Sequence, residues 1–538
     1  MRTKSGMAVL AALATASAVV YAGCGTAYDD IYLKLTDRKL ARWDDGGSGG
    51  GGGGDGGPPP ECAGNPTQDA TLVRDECGVF VSASAVEDGN GTKTRPFTKL
   101  TDAITEAEST GKRVYACAGK AFAEAVTLSA GIDVYGGFDC ANAWAWSPLA
   151  RATLDGPVDS IALTIQASAA GARVDGFKIT AASPSDMKSG NSSIAVAVAD
   201  VHVTLERCDT IASNAADGAD GVAPSDLATK GSDAPDPDPL TMNACINAAS
   251  VNGGAPGVTT CEDGESSGGL GGKGGVTGTN DGDGEKGGDG TPLDPIDGLG
   301  GTGESATKCS SGATGTDGEA GNAGLGGAAL DDALSLSGIT NNTATNGKSG
   351  TKAQGGGGGG GAKSGVFCPP AATPVDGPGA SGGGGGGGGC GGKGGGGGKA
   401  GGSSIAILSL GTKLVLNDVT LAVGKAGNGG KGASGQNGGD PGVGAAGGAK
   451  SVTPPSANGC KGGDGGSGGP GGAGGGGRGG HAIGIAFAKT PSVLPMIKSS
   501  TPGTAGDPGS PGAVGGNSGE QGKAGQCWDF EKHAECGL

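Results

Sequence analysis

Residues 404–423 read SIAILSLGTKLVLNDVTLAV, and residues 424–430 continue as GKAGNGG. Two short apolar runs joined by a turn are followed at once by a glycine tract. The same order occurs earlier, where Val203-Thr204-Leu205 precedes Asp217-Gly218-Ala219-Asp220-Gly221, and strand-like islands at 328–340 and 481–498 repeat it. A repeat of irregular length is expected when the rungs of one solenoid carry insertions of variable size. The sequence therefore predicts an all-β chain, one long coil whose rungs extrude glycine-rich loops over 214–526. Two alternatives stand beside it: linkers between small separate units, and a β-sandwich followed by a disordered glycine-rich tail.

Outward from that stretch, 61–213 is the only long segment of ordinary composition. Alternating apolar and polar residues predict strands at 78–82, 113–117, 125–128, 132–138, 161–165, 172–179, 194–198 and 201–205, with short turns between them. One helix is predicted at 97–109, with Pro96 at its start and Leu100, Ala103, Ile104 and Ala107 on one face. Short strands without intervening helices exclude a doubly wound sheet. The stretch VFVSASAVEDGNGTKTRPFTKLTDAI at 79–104, with Gly91-Thr92 and Pro96-Phe97, resembles the opening of right-handed parallel β-helix proteins of the pectin-lyase-like superfamily. Leu163-Thr164-Ile165 and Val174-Asp175-Gly176-Phe177-Lys178-Ile179 resemble their rungs. That resemblance covers 78–210 and implies a parallel β-helix whose open end is capped by the helix.

Composition bounds the rest. The chain has 125 glycines in 538 residues and 3% aromatic residues, against a usual glycine content of roughly 7%. A glycine tract orders only if something else holds it. Runs such as 355–361, 382–389 and 474–477 resemble the glycine-rich domains of bacterial PGRS-type surface proteins, which implies an envelope role. Gly503 to Gly512 keeps a collagen-like period of three, but Ser518 breaks it. Glycine strands packed on one another in a polyproline-II-like form are a third reading, because such close approach needs glycine. The net charge of -17 argues against a nucleic-acid partner.

The first 23 residues form a secretory signal, with Arg2 and Lys4 before an apolar run from Met7 to Val20. Tyr21-Ala22-Gly23-Cys24 resembles the lipobox of bacterial lipoproteins. The resemblance implies cleavage before Cys24, lipid on its sulfur, and an exported outer-membrane lipoprotein at the cell surface or in the periplasm. Residues 24–60, ending GGSGGGGGGDGGPPP, read as a flexible tether to the membrane. Setting Cys24 aside, thirteen of the fourteen cysteines remain, spread as disulfides in an oxidising compartment would be. Closeness in sequence pairs Cys62 with Cys77, Cys117 with Cys140, Cys245 with Cys261 and Cys527 with Cys536, in the last case within a C-terminal tail at 527–538. Thirteen is odd, so one thiol is left over.

No family catalytic motif is present, and the expected role is structural or adhesive, without catalysis or cofactor. Partners are the membrane, through the anchor, and extracellular polysaccharide or neighbouring surface components. The alternative is a polysaccharide-active lyase or hydrolase, for which the carboxylates and arginines Asp155, Asp159, Arg173, Asp175, Asp200, Glu206, Arg207 and Asp209 are the candidates. A third reading is a carbohydrate-binding module using Trp144 and Trp146, which equally suit a core. Zinc is disfavoured by the absence of a CxxC pair and of suitably spaced histidines. Weak calcium binding is open at 280–285 with Asp289, Asp294 and Asp297, although Lys286 stands where an EF-hand loop needs glycine.

Overall fold

The structure is a computed structural model describing residues 60–328, 332–340 and 343–537. The signal at 1–23, Cys24 and the tether up to residue 59 lie outside the described residues. Residues through Lys120 together with Ile132–Ala150 form one compact unit, and Ala121–Gly131 with Arg151 onward form a second.

In the first unit, Gly78–Val81, Arg113–Cys117 and Asp133–Asp139 pair in parallel, with Ala145–Trp146 antiparallel to the last. Helix α1, Leu100–Thr110, buries Leu100, Ala103, Ile104 and Ala107, the face that the sequence predicts. It starts three residues later than 97, because Phe97 exchanges backbone hydrogen bonds with Phe80 and Ser82 and is held extended. It ends at Gly111, whose φ of 65° lets its N–H reach Ala107 O. Phe80, Tyr115, Tyr135, Phe138 and Trp144 fill the core, with Trp144 edge-on to Phe80 at 4.8 Å between ring centres.

The second unit contains three parallel sheets visited in turn. Face one carries Val126–Leu128, Leu163–Ile165, Ser193–Val198, Ser404–Ser409, Ala482–Phe487 and Ala524–Asp529. Face two carries Ala172–Asp175, Val203–Glu206 and Leu414–Asn417. Face three carries Ala152–Asp155, Phe177–Ala181, Asp209–Ala212, Thr420–Val423 and Ser499–Thr501. Strand alternation buries Leu163, Ile165, Val174, Leu205, Leu414 and Leu416. The all-β class is as the sequence predicts, and the strands of these three sheets pair in parallel, unlike those of an antiparallel sandwich.

The glycine tracts are not extruded loops. Each leaves the end of face three and returns to the start of face one, and on the way it is hydrogen-bonded strand to strand every third residue. Pairing of Asp209–Ala212 with Thr420–Val423 runs straight on as Ala215 N to Lys425 O, Gly218 N to Asn428 O and Gly221 N to Lys431 O, at 2.7–2.9 Å. A period of three is that of the polyproline II helix. Along its length strand 379–403 exchanges backbone hydrogen bonds with six segments of the bundle, 216–232, 254–257, 269–275, 344–362, 427–448 and 460–478, and at its ends with Met242 and Ser193. Strands 344–364 and 459–480 are likewise enclosed, the former by 269–275, 282–291, 301–304, 310–325, 380–398 and 460–475. Polyproline-II-like packing is thus what the tracts adopt. At about 3.1 Å per residue, strand 379–403 extends over about 75 Å.

Close approach, not backbone conformation, demands glycine here. None of Gly382, Gly383 and Gly384 has a left-handed φ, yet a methyl group on each would lie 2.0, 2.0 and 1.9 Å from Gly359 O, Ala445 O and Ala255 O. Three successive residues face three different neighbours, so a fully enclosed strand tolerates no side chain over 382–389. Strand 268–275, GGLGGKGG, has glycine at two positions in three and points Leu270 and Lys273 outward. Strand 312–324, at one edge, keeps glycine at only one in three.

At the outer edges, N–H groups with no strand beside them are met by side chains of the neighbouring strand. Asn214, Asp217 and Asp220 accept from the N–H groups of Lys425, Asn428 and Lys431 at 2.8, 2.7 and 2.7 Å. Asp233 does so for Val443, Asp289 for Gly300 and Asp317 for Ser467. Five aspartates, Asp217, Asp220, Asp233, Asp289 and Asp317, serve the ladder in this way. The Val443 and Gly300 N–H groups, with Lys230 and Lys286, hold Asp233 and Asp289 below the usual carboxylate range. At Asp217, burial pushes upward, but the Asn428 N–H and Lys188 outweigh it. A carboxyl whose folded pKa is depressed stabilises the fold above its unfolded value of roughly 4, and that stability is lost as pH falls through the folded value. The urea midpoint is therefore expected to stay level from pH 8 to 6 and to fall steeply below about pH 4. A midpoint that holds to pH 2.5 would contradict the ladder.

Three further differences from the sequence reading are local. The island at 328–340 is not a rung: Ala333–Ser335 and Gly338–Thr340 pair antiparallel as a hairpin. Residues 527–538 are not merely a tail, since Ala524–Asp529 is the last parallel strand on face one. Two hairpins inside the glycine region, Val258–Cys261 with Gly264–Ser267 and Gly365–Cys368 with Val375–Gly377, carry no alternation that marks them.

Candidate functional site

A cavity of about 500 Å³ opens in the second unit between face one, the turns 159–161 and 190–192, and the hairpin tip 337–339. The hairpin is fixed from two sides. Leu334 and Ile339 pack on Ile194, Ile405, Leu408 and Ile483. Gly338, at φ 119°, turns the chain where a side chain would press on Ile194. Thr127 and Thr164 are opposite one another on adjacent face-one strands and both reach the cavity. Asp159 stands at its rim with a left-handed φ of 58°, a strained conformation for a residue with a side chain. Its carboxylate accepts from the Ser185 hydroxyl and, at 3.0 Å, from Asn191 Nδ2. Those bonds, Ser185 first, keep it below the usual carboxylate range.

The base of the hairpin is tied by a buried polar triad. Asp332 Oδ2 lies 3.0 Å from Arg478 Nη2 and 2.7 Å from His481 Nε2, and all three side chains are fully buried. The His481 Nδ1 accepts from Lys523 N–H at 2.9 Å, so the imidazole is neutral with its proton on Nε2. Burial, first of all, holds its pKa below the ordinary value. Arg478 and His481 lie where strand 459–480 of the bundle becomes Ala482–Phe487, so the triad joins bundle, coil and hairpin. Removing one partner of such a pair leaves a buried charge, and Asp332→Ala is expected to cost about 3 kcal/mol. The double variant Asp332→Leu with Arg478→Met should restore most of that in denaturant titrations. A single-variant midpoint equal to wild type would contradict the lock.

The polar residues predicted from sequence are distributed as follows. Arg173, Asp175, Glu206 and Arg207 come together on face two. Arg173 lies 3.4 Å from Asp175 and pairs also with Glu206, while Arg207 pairs with Asp175 and, at 2.8 Å, with Glu206. Burial pushes Asp175 up to about 6, against the pull of Arg207 and Arg173. Asp209 is 3.9 Å from Arg151 and accepts from the Thr420 hydroxyl. Asp155 and Asp200 are exposed and separate from this quartet. In the first unit Trp144 is core, and Trp146 is half-buried against the same cluster. Of the acids weighed for calcium, Asp283 pairs with Lys363, Asp289 with Lys286 and the Gly300 N–H, and Asp294 with two N–H groups of its own turn. Asp297 takes the Thr316 hydroxyl. Among the described residues no three His, Cys, Asp or Glu side chains are grouped to hold a metal ion.

Six disulfides form among the described residues. Cys62–Cys77, Cys117–Cys140 and Cys527–Cys536 are the sequence-local pairs predicted. Cys245 and Cys261 do not pair with each other but with Cys368 and Cys390, and Cys309 pairs with Cys460. Segments 254–257 and 312–318 run parallel to 382–385 and 461–467, which sets Cys261 beside Cys390 and Cys309 beside Cys460, and closeness in sequence cannot reveal this. The odd thiol is Cys208, buried, where desolvation raises its pKa to about 12. Six disulfides fit an oxidising extracellular or envelope location.

The cavity and the triad were not legible in the sequence, because each draws on residues more than a hundred positions apart. Comparison with family models, with curated proteins and with solved structures finds no match.

Proposed function

We propose that this chain is an exported, lipid-anchored envelope protein that serves as a stiff structural or adhesive surface element. The observation that carries the reading is the enclosure of three glycine strands by six neighbours each, which makes the tracts a rigid bundle in place of a flexible brush. Three disulfides across that bundle, and a tether following the lipobox-like Tyr21–Cys24, support a part held away from a membrane in an oxidising space. The PGRS-type resemblance agrees with a surface role. The right-handed, pectin-lyase-like form of the coil is part of the same proposal and rests on the 79–104 resemblance.

The test is to express the full chain in a Gram-negative host with labelled palmitate, beside Cys24→Ser. Label and membrane recovery in the wild type, lost in the variant, with protease access on intact cells, are expected. Unlabelled, soluble wild-type protein would overturn the anchoring, and loss of pectate or alginate viscosity on incubation would favour a polysaccharide-active enzyme.

A further inference from the structure

We propose that the cavity beneath the hairpin tip at 337–339 binds a neutral sugar, with Asp159 as its orienting acceptor. The volume of about 500 Å³ lies within the roughly 300–1,000 Å³ of small-ligand pockets. Its polar lining is dominated by hydroxyls: Thr127 and Thr164 on one wall, Ser160 and Ser192 on the turns, and Ser337 on the hairpin. A hydroxyl both donates and accepts, which suits a ligand whose own groups do both. Ile161, Ile194 and Ile339 supply an apolar wall for the C–H face of a ring.

Charge narrows the class. No lysine or arginine lines the cavity, and its one carboxylate is Asp159. A phosphate, sulfate or uronate would meet a negative charge with no cation to offset it. The Asp159 carboxylate already accepts from the Ser185 hydroxyl and backbone N–H and from Asn191 Nδ2. These bonds fix the carboxylate while leaving a lone pair for a sugar hydroxyl, and a hydrogen bond to a charged acceptor is among the stronger ones available. The left-handed backbone at Asp159 fits a residue held in place for a ligand.

The inference gives the adhesive reading a ligand class, and its test reads sugar binding alone, so failure would leave the anchored structural role standing. Saturation-transfer NMR and titration of the full chain with glucose, galactose, mannose, N-acetylglucosamine and cellobiose are compared with glucuronate. At least one neutral sugar is expected to bind, with glucuronate about tenfold weaker or more. Asp159→Ala, which removes the acceptor, and Thr164→Phe, which fills the cavity from the opposite wall, should each weaken binding about tenfold or more while both variants still unfold cooperatively on heating. The proposal is overturned if no neutral sugar shows transfer, if glucuronate binds as well, or if both folded variants bind like wild type.

Discussion

Gly385→Ala is expected to lower the unfolding free energy of the second unit by about 4 kcal/mol or more, at the exceptional end of single-substitution effects. The new methyl would lie 1.9 Å from Gly356 O and 2.6 Å from Gly356 C. Both are backbone atoms of an enclosed strand, which cannot rotate away as a side chain would. Gly356 N–H meanwhile donates to Gly386 O at 2.9 Å, so displacing one strand breaks the bonds that hold the other. At an unstrained, open position the same change would stabilise by roughly 0.4–1 kcal/mol through the unfolded chain, so the sign itself discriminates. Lys431→Ala, on an exposed outward position of the bundle, should remain within about 0.5 kcal/mol of wild type. Equal midpoints for the two variants in urea would rule out the packed bundle.

Loss of the three bundle disulfides is the second large effect. Cys245–Cys368, Cys261–Cys390 and Cys309–Cys460 close loops of 123, 129 and 151 residues. In the chain-entropy account each such closure stabilises by about 4.7–5 kcal/mol through the unfolded state. Replacing Cys261 and Cys390 together by alanine should therefore lower the urea midpoint far more than the same change at Cys527 and Cys536, which are 9 residues apart. Stability read by fluorescence in the unreduced pair of variants checks this directly. Midpoints shifted equally, or more by the short bridge, would contradict cross-bundle pairing.

How much of this was legible follows from the range of the interactions. Strands such as Leu163–Ile165, Val203–Glu206 and Leu414–Asn417 announce themselves, because alternation is a local pattern and each rung repeats it. The face of α1 was likewise readable from Leu100, Ala103, Ile104 and Ala107, whereas its start depended on Phe97 pairing with Phe80, a tertiary contact. The glycine tracts carried the bundle in plain view, since GGLGGKGG at 268–275 and GATGTDGEAG at 312–321 keep glycine at a period of three. Which strand neighbours which was hidden, and with it the partners of Cys245 and Cys261. Asp332, Arg478 and His481 gave no signal either. In sequence they are an acid beside an island and two basic residues among glycines, and only the return of 459–480 to face one brings them together.

Amide hydrogen exchange of the unreduced full chain, followed by mass spectrometry of peptides from 379–403 and 459–480, tests the central claim most directly. About two in three N–H groups of these strands donate to backbone oxygens of neighbouring segments, and both strands lie inside the bundle. The account predicts protection there at least as strong as in the rung 404–423, because opening one enclosed strand requires separating six neighbours. Exchange of those glycine amides at the rate of an unstructured chain, with protection confined to the rungs, would show that the tracts are loops after all.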